Sequence, residues 1–347
     1  MEEKASNGMK NQSIDTISKY AAPHKDRWHY LDFRDGKHDG FYTEWKYFNF
    51  IQGDMAGYIM YIVLDPELRT PIGSGRLIAR IFKDGVFHGD MEKIPMDRIE
   101  FDTQTASVRM SGARLDEKTP HNYCITGSVA DVSWNLEYNQ NTPSLDGYSD
   151  TNFGILPWEK MSWLVKMPRA RITGTISVNG TPIQLNALGY SDTNWGEFIP
   201  LFSRYEWAQF NDEKISVVYG VIYRFGRIYR TYAYVEINKE VIDFDSTTFK
   251  IFGRQWGNEE FSGIKTPAKT QFEIKAGPYT LDVTYAPVRT DMIGVKISSW
   301  LPKQTIAEQI SKFTGTLKRN GNVVHSFSGL GFSEYSLKTW KNTAVTF

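Results

Sequence analysis

The sequence predicts an all-β protein with little helix. Apolar and polar residues alternate over short runs, as from Ile172 through Val178, which is the period of a half-buried strand. The runs are separated by tight-turn dipeptides such as Asn179-Gly180 and Asn320-Gly321, which are typical of β-hairpins. Aromatic residues make up 14% of the 347 residues, and they favour pleated, half-buried surfaces. We expect two sandwich-like or barrel-like domains that share an aromatic cavity.

The strands are assigned in chain order. "GYIMYIVLDP" predicts a strand that ends at a proline, and "GRLIARIFKDGVFHGDMEKI" predicts two strands joined at Asp84-Gly85. Further along, a long pair turns near Phe225-Gly226, and "QFEIKAGPYTLDVTYAPV" predicts another hairpin. The best helix candidate is "LPKQTIAEQISKF" from Leu301, because Ile306 and Ile310 lie four residues apart.

The chain divides into three segments by composition. Residues 1–26 are polar and without periodicity, so they predict a flexible lead-in. We expect a first β domain at 27–199 and a second, barrel-like β domain at 200–347, with the boundary near residue 200.

Composition excludes several classes of function. Forty basic residues balance forty acidic ones, so the net charge of zero predicts neither a nucleic acid nor an anionic membrane as partner. The single cysteine, Cys124, allows no disulfide framework and fits a reducing compartment. The polar N-terminal stretch predicts no signal peptide, and the longest apolar run, "YIMYIVL", is too short to span a membrane. We therefore expect a cytoplasmic protein with no integral membrane segment; the oligomeric state stays open.

No sequence motif points to a metal, a nucleotide or a covalent intermediate. The six histidines include no pair at the His-x-x-x-His spacing of a zinc-binding helix. A Gly-x-Ser-x-Gly nucleophile motif and a P-loop are also absent from the sequence. We expect chemistry without a cofactor.

One octapeptide occurs twice with a single change. "GYSDTNFG" begins at Gly147 and "GYSDTNWG" at Gly189. Glycine at both ends, with Asp and Asn between, predicts two adjacent turns of one β-meander, and we expect the first copy to be structural. In the second copy, Asp192 and Asn194 either bond their own backbone or, if Asp192 is buried beside Trp195, form a proton donor of raised pKa.

Other candidate residues combine carboxylates with aromatic rings. Glu44 stands beside Trp45 in a ring-rich strand, where it is either ion-paired with an arginine or functional. Glu334 and Tyr335 are open to the same two interpretations. Tyr205 and Trp207 follow the second octapeptide and could stack on a flat or polyene substrate.

The segment "MPRARITGTISVNGTPIQLNALGYSDTNWG" resembles a family signature. The family is the lipocalin-like group of carotenoid hydratases (hydroxyneurosporene synthase type), tocopherol cyclase and decalin-forming Diels–Alderases. The matching positions are Pro168, Arg169, Ile172, Gly174, Gly189, Tyr190, Asp192, Asn194, Trp195 and Gly196. "TEWKYFNF" resembles the family's N-terminal segment and "GLGFSEYS" its terminal strand, so the resemblance extends from Glu44 to Tyr335.

The resemblance implies a fold that encloses a hydrophobic substrate. Three positions differ from the family pattern: Lys46 replaces a tryptophan, and Ser191 and Thr193 stand where other members carry histidine or another polar residue. These differences argue against imidazole-based proton transfer and leave a substrate-folding cavity intact. Our candidate catalytic residues are Glu44, Asp192 and Asn194. The candidate substrate-binding residues are Trp45, Tyr47, Tyr190, Trp195, Tyr205, Trp207, Glu334 and Tyr335.

The expected function is a cofactor-independent cyclase of natural-product biosynthesis. It would hold a linear polyene or polyketide-type precursor folded while a ring closes, with a [4+2] cycloaddition as one form of that reaction. The second hypothesis is an isoprenoid hydratase or proton-initiated cyclase with Asp192 as the acid. A third is a non-catalytic carrier of a hydrophobic ligand.

Overall fold

The computed structural model describes residues 24–34, 37–153, 156–198, 203–243, 248–259, 262–295, 303–339 and 345–346. These residues form two antiparallel sheets, and their helical parts are short 3-10 turns at Tyr30–Phe33, Asp39–Phe41 and Met96–Arg98. The all-β prediction is therefore confirmed. None of the helices in the described residues is long and apolar enough to cross a membrane. Residues 1–23 of the expected lead-in lie outside the described residues, whereas Asp26 at its end is buried.

Sheet A is built from the first thirteen strands and curls strongly into a half-barrel. Its main path runs β4-β3-β2-β1-β13-β12-β10-β9-β8-β7-β6, with β5 on β3 and β11 on β12. The strands are β1 Tyr42–Gln52, β2 Met55–Leu64, β3 Ser74–Lys83, β4 Val86–His88, β5 Met91–Ile94, β6 Ile99–Phe101, β7 Val108–Met110, β8 Ala113–Thr119, β9 Asn122–Val129, β10 Val132–Gln140, β11 Leu145–Asn152, β12 Lys160–Val178 and β13 Thr181–Glu197.

Sheet B contains the remaining ten strands. Its path runs β17-β16-β15-β14-β22-β21-β20-β19-β18, with β23 on β20. The strands are β14 Ser203–Asn211, β15 Ile215–Arg224, β16 Arg227–Ile237, β17 Glu240–Asp243, β18 Thr248–Asn258, β19 Lys265–Ala276, β20 Tyr279–Val295, β21 Lys303–Arg319, β22 Asn322–Thr339 and β23 Val345–Thr346.

The predicted hairpin turns are present. Asp84-Gly85, Asn179-Gly180, Phe225-Gly226 and Asn320-Gly321 each join consecutive antiparallel strands. Both residues of every pair have positive φ, between 50° and 86°. This is the backbone of a two-residue turn whose twist matches that of the flanking strands.

The predicted helix from Leu301 is wrong. The described part of that segment is strand β21, hydrogen-bonded to β20 and β22 over most of its length. Residues four apart share a face in a helix and also in a strand, so the spacing of Ile306 and Ile310 fits both periods. Pairing on both edges of β21 decides in favour of the strand.

The two octapeptide copies are strands rather than turns, so that prediction is also wrong. Residues 147–152 of the first copy lie in β11 and the second copy lies in β13, on opposite edges of the β12 segment around Trp163; Gly154 of the first copy lies outside the described residues. Tyr148 of the first copy and Asn194 of the second are both register partners of Trp163. The repeat therefore supplies both neighbours of one tryptophan.

Buried apolar residues form three main clusters. One fills the concave side of sheet A and includes Trp28, which closes it from the N-terminal side. A second fills the interior of sheet B. The third lies between the sheets, where Tyr47, Trp163 and Tyr190 of sheet A meet Trp207 and Phe332 of sheet B. The candidate site lies in this third region.

Candidate active site

A repeated strand motif forms the two walls of the site. β1 carries Glu-Trp-x-x-Phe-Asn from Glu44, and β14 carries the same pattern from Glu206. Because side chains alternate along a strand, each Trp faces the opposite sheet. Glu44 is enclosed within sheet A, whereas Glu206 is bonded inside sheet B and also borders the space between the sheets. The partner strand places Asn194 opposite Trp45 and Glu334 opposite Trp207.

These walls enclose a cavity between the sheets, called here the inter-sheet cavity. One part contains about 500 Å³ of unfilled space, a figure that includes open solvent. An adjoining part, with about 1090 Å³ on the same measure, extends from Gly40 to Ile306 and shares Trp45, Met161, Tyr205 and Glu334 with the first. The first part is lined by rings and three acids: Trp45, Tyr47, Tyr148, Trp163, Tyr205, Trp207, Asp192, Glu206 and Glu334, together with Asn194 and aliphatic residues.

Asp192 is a buried acid on the cavity wall. Its Oδ2 accepts hydrogen bonds from Trp163 Nε1 at 2.9 Å and from Tyr190 Oη at 2.7 Å, and Asn194 Nδ2 lies 3.4 Å from Oδ1. Burial raises the pKa of Asp192 to about 7, against these hydrogen bonds, which stabilise the anion. A large fraction of the molecules therefore carries a protonated carboxyl here near neutral pH.

A second acidic group is formed by Glu308 and Glu334, which are register partners on β21 and β22. Burial raises the pKa of Glu334 to about 7. Burial and the neighbouring Glu334 charge raise the pKa of Glu308 well above its usual range, because two adjacent buried carboxylates repel each other. Tyr47 donates a 2.8 Å hydrogen bond to Glu308 Oε1. The two carboxyls together retain at least one proton near neutral pH.

The aromatic rings are fixed by contacts with one another. Trp207 Nε1 donates to Tyr190 Oη at 3.2 Å, and the ring centroids of Tyr47 and Trp207 lie 5.7 Å apart. Trp163 has no free space on two sides, because a Cβ on Gly147 or on Gly220 would lie within 3 Å of its ring. A rigid cavity lined by ring faces can hold an extended π-system and stabilise positive charge that develops on it.

Most of the predicted site residues meet at this cavity. Asp192, Asn194, Trp45, Tyr47, Tyr205, Trp207 and Glu334 line it. Tyr190 lies directly behind, between Asp192 and Trp207.

Glu44, Trp195 and Tyr335 lie elsewhere, because each points to the other face of its sheet. Glu44 is fully buried and ion-paired with Lys46 at 3.3 Å, and it accepts a bond from the backbone N of His29 at 2.8 Å. Although burial opposes it, the charges of Lys46 and His29 hold the pKa of Glu44 below its usual value. Trp195 stacks on the His29 ring at 3.8 Å. The partner of Glu44 is a lysine and a histidine rather than the expected arginine.

Tyr335 contacts charged groups on the outer side of the cavity wall. Arg204 donates a 3.1 Å hydrogen bond to its hydroxyl, and Trp256 packs against its ring. The catalytic interpretation of Glu44 and the ligand-binding interpretations of Trp195 and Tyr335 therefore have no support from the geometry.

Three site residues escaped the sequence reasoning. Glu308 was hidden in the segment predicted as a helix, and its alternation with Ile306 and Ile310 would have placed it on the cavity face. Tyr148 lies within the first octapeptide, which is predicted to be structural, and Trp163 belongs to none of the sequence motifs. Comparing the chain with itself would have found Glu-Trp-x-x-Phe-Asn at Glu44 and Glu206, and so the paired walls. Within the described residues, no three His, Cys, Asp or Glu side chains are arranged to hold a metal ion.

Comparison with known proteins shows what the fold is similar to. No family model and no curated protein matches the sequence. Solved structures do match: CghA has a TM-score of 0.62 at 11% identity, covering 86% of this chain and 89% of that one. The chain shares the CghA fold. NE1406 of Nitrosomonas europaea, a candidate AttH, matches with a TM-score of 0.58 at 15% sequence identity, and the match covers 88% of this chain and 95% of that one. Kievitone hydratase of Nectria haematococca matches with a TM-score of 0.59 at 14% sequence identity, and the match covers 86% of this chain and 89% of that one.

The resemblance predicted from the sequence is confirmed at the level of the fold. The structural matches extend over most of each chain, so the two-sheet arrangement as a whole is shared. With identities of 11–15%, the likeness is one of architecture. One fold can host many reactions, so the chemistry of this protein depends on the residues of its cavity.

Proposed function

We propose that this protein is a cofactor-independent cyclase that folds a linear, unsaturated hydrophobic substrate inside the inter-sheet cavity. The observation that supports this proposal is the position and pKa of Asp192. Its carboxyl lies on a cavity wall among aromatic rings, and with a pKa of about 7 it is protonated in a large fraction of the molecules near neutral pH. A neutral carboxyl can donate a hydrogen bond to a substrate carbonyl, which lowers the barrier to ring closure, including a [4+2] cycloaddition. Rigid walls add the advantage of a preorganised substrate conformation.

A second candidate is hydration or proton-initiated cyclisation of an isoprenoid-like substrate. It is supported by the carboxyl pair of Glu308 and Glu334, because a retained proton next to π-faces could be transferred to an alkene carbon. Facing rings such as Trp45 and Trp207 would stabilise the resulting cation. The similarity in fold to a hydratase is consistent with this candidate.

Turnover in heavy water separates the two reactions. A cycloaddition forms its new bonds without a solvent proton, so the product made in D₂O carries no new carbon-bound deuterium. Hydration or protonation places one solvent-derived proton on carbon. Mass spectrometry of the product therefore decides: no incorporation supports the cyclase, and one deuterium per product moves the acid-initiated reaction to first place. Ligand binding without any product would instead identify a carrier.

A further inference from the structure

The hairpin between β15 and β16 carries an unusual surface. Its tip exposes Phe225 by 66%, Ile228 by 48% and Tyr229 by 41%. Arginines alternate with these apolar residues at Arg224, Arg227 and Arg230, and residues 222–232 contain no Asp or Glu. The tip, defined here as residues 224–230, therefore combines exposed apolar side chains with three arginines and no acidic residue of its own. Exposure of the apolar side chains to water is unfavourable, and a contiguous exposed apolar patch is typical of an interaction surface.

The arginines are arranged over aromatic faces. The Arg224 guanidinium lies 5.6 Å from the ring centroids of both Phe225 and Tyr229, and Arg230 lies 5.9 Å from Tyr229. These contacts hold cationic groups and rings side by side at one surface. The same end of sheet B exposes Trp256 by 44%, beneath Arg254 and Lys265.

The tip lies beside the inter-sheet cavity. Arg230 is the register partner of Ile222, which lines the cavity, and its Nη1 donates to Thr151 Oγ1 of sheet A at 3.2 Å. Tyr232, two residues further, lies 5.0 Å from the ring of cavity-lining Tyr148. A surface that contacts the tip therefore lies close to residues that line the inter-sheet cavity.

We propose that the 224–230 tip docks the protein onto an anionic lipid bilayer, close to the inter-sheet cavity. Phe225, Ile228 and Tyr229 enter the boundary between headgroups and acyl chains, and the arginines contact lipid phosphates. The occupant is a bilayer because apolar and aromatic side chains alternate with the charges. Phe225 and Ile228 are exposed apolar side chains of a kind that the acyl-chain boundary accommodates, and Arg224, Arg227 and Arg230 lie beside them at the level of the phosphates. The net charge of zero predicted no such partner because it averages over the whole chain, whereas docking depends on the local patch.

Vesicle flotation of the full-length protein tests the proposal and needs no turnover. We expect flotation with vesicles of phosphatidylcholine plus phosphatidylglycerol, less flotation with phosphatidylcholine alone, and weakening by salt. Phe225→Ser/Ile228→Ser should reduce the partition coefficient on the order of tenfold or more. Arg224→Gln/Arg227→Gln should reduce it about fivefold for each arginine.

The matched control is Val323→Ser/Val324→Ser. These valines are exposed by 61% and 46% on the β21–β22 hairpin, at the other end of sheet B. Flotation of this control should equal that of the wild type, and circular dichroism should show that all variants are folded. If Phe225→Ser/Ile228→Ser does not fold, the single Phe225→Ser variant decides.

Three results would overturn the bilayer proposal. One is a wild type that does not float with either vesicle. Another is a control that loses as much flotation as the tip variant. The last is a Phe225→Ser/Ile228→Ser protein that floats like the wild type while the arginine variants do not, because this would identify simple electrostatic adsorption. None of these results bears on turnover of dispersed substrate, so the proposed cyclase is judged separately.

Discussion

The Trp163 indole donates a 2.9 Å hydrogen bond from Nε1 to Oδ2 of Asp192. The same ring packs over Gly147 of the first octapeptide, while Asp192 belongs to the second. The two copies therefore contact the same tryptophan in different ways. Gly147 of the first copy has no side chain and leaves room for the ring, whereas Asp192 of the second copy accepts the hydrogen bond from the indole nitrogen. This arrangement positions the acid on the cavity wall, and most of the predictions below depend on it.

Replacing Asp192 by Ala and by Asn should separate the two roles of the acid. If Asp192 only donates a hydrogen bond, Asp192→Ala loses about 1–3 kcal/mol, or roughly tenfold to a hundredfold in rate, whereas the Asn amide can still donate and retains much of the rate. If Asp192 transfers a proton, Asp192→Asn also loses on the order of 10²–10⁴-fold. Ser191→Ala is the control, because Ser191 is buried on the opposite face of the same strand. A normal rate in both Asp192→Ala and Asp192→Asn would remove Asp192 from the mechanism.

Turnover should decrease as the pH rises through about 7, where Asp192 and Glu334 lose their protons. The sign follows from the active form, since both carboxyls donate only when they are neutral. Rate measurements across neutral pH check this expectation, and Asp192→Asn should leave only the decrease due to the glutamate pair. A rate that does not change with pH would contradict a role for either acid.

Replacing Glu44 by Gln should destabilise the fold without changing turnover per folded molecule. Lys46 is 2% exposed and would lose its anionic partner, which costs about 3–5 kcal/mol for a buried pair. Because the folded-state pKa of Glu44 is lowered, the wild-type advantage is present above the unfolded-state pKa and is lost as the pH falls through the folded-state value.

Urea unfolding at several pH values measures the Glu44 effect. Glu206→Gln is a comparison for stability only, because Glu206 takes the equivalent strand position in sheet B, bonded to Arg254 and to the hydroxyls of Tyr219 and Tyr285, but also lines the cavity. A Glu44→Gln protein of normal stability and reduced turnover would restore the catalytic interpretation of Glu44.

Replacing Gly220 by Ala should weaken the binding of apolar ligands in the cavity. The new Cβ would lie 2.9 Å from a Trp163 ring carbon, so the ring or its neighbours must shift. We expect this shift to disturb the hydrogen bond from Trp163 to Asp192. Tryptophan fluorescence titration with a conjugated polyene fatty acid measures the affinity. Gly112→Ala is the control, since a Cβ there meets no atom within 4 Å. Equal affinity in the wild type and Gly220→Ala would show that the ligand binds away from Trp163.

Local sequence determined the strands and turns of this protein. Alternating apolar and polar side chains predict a strand, and dipeptides such as Asn320-Gly321 predict a tight turn. Both patterns can be recognised within a few residues, because a positive φ and the two-residue period of a strand are local properties. The second octapeptide, together with Trp45 and Glu334, contributes residues that the fold brings to one cavity, and their role toward a ligand stays a prediction. The β21 segment was misassigned because a spacing of four residues fits both a helix and a strand, and only its neighbours in the sheet choose between them.

Tertiary structure decided which face each residue occupies. Glu44 and Trp45 are adjacent in sequence, yet one is ion-paired inside sheet A and the other lines the cavity. The reason is that alternation assigns neighbouring residues to opposite faces, and only the docking of the second sheet determines which face becomes the site. The raised pKa of Asp192 has the same origin, because burial between two sheets is a property of the assembled molecule and of no single segment.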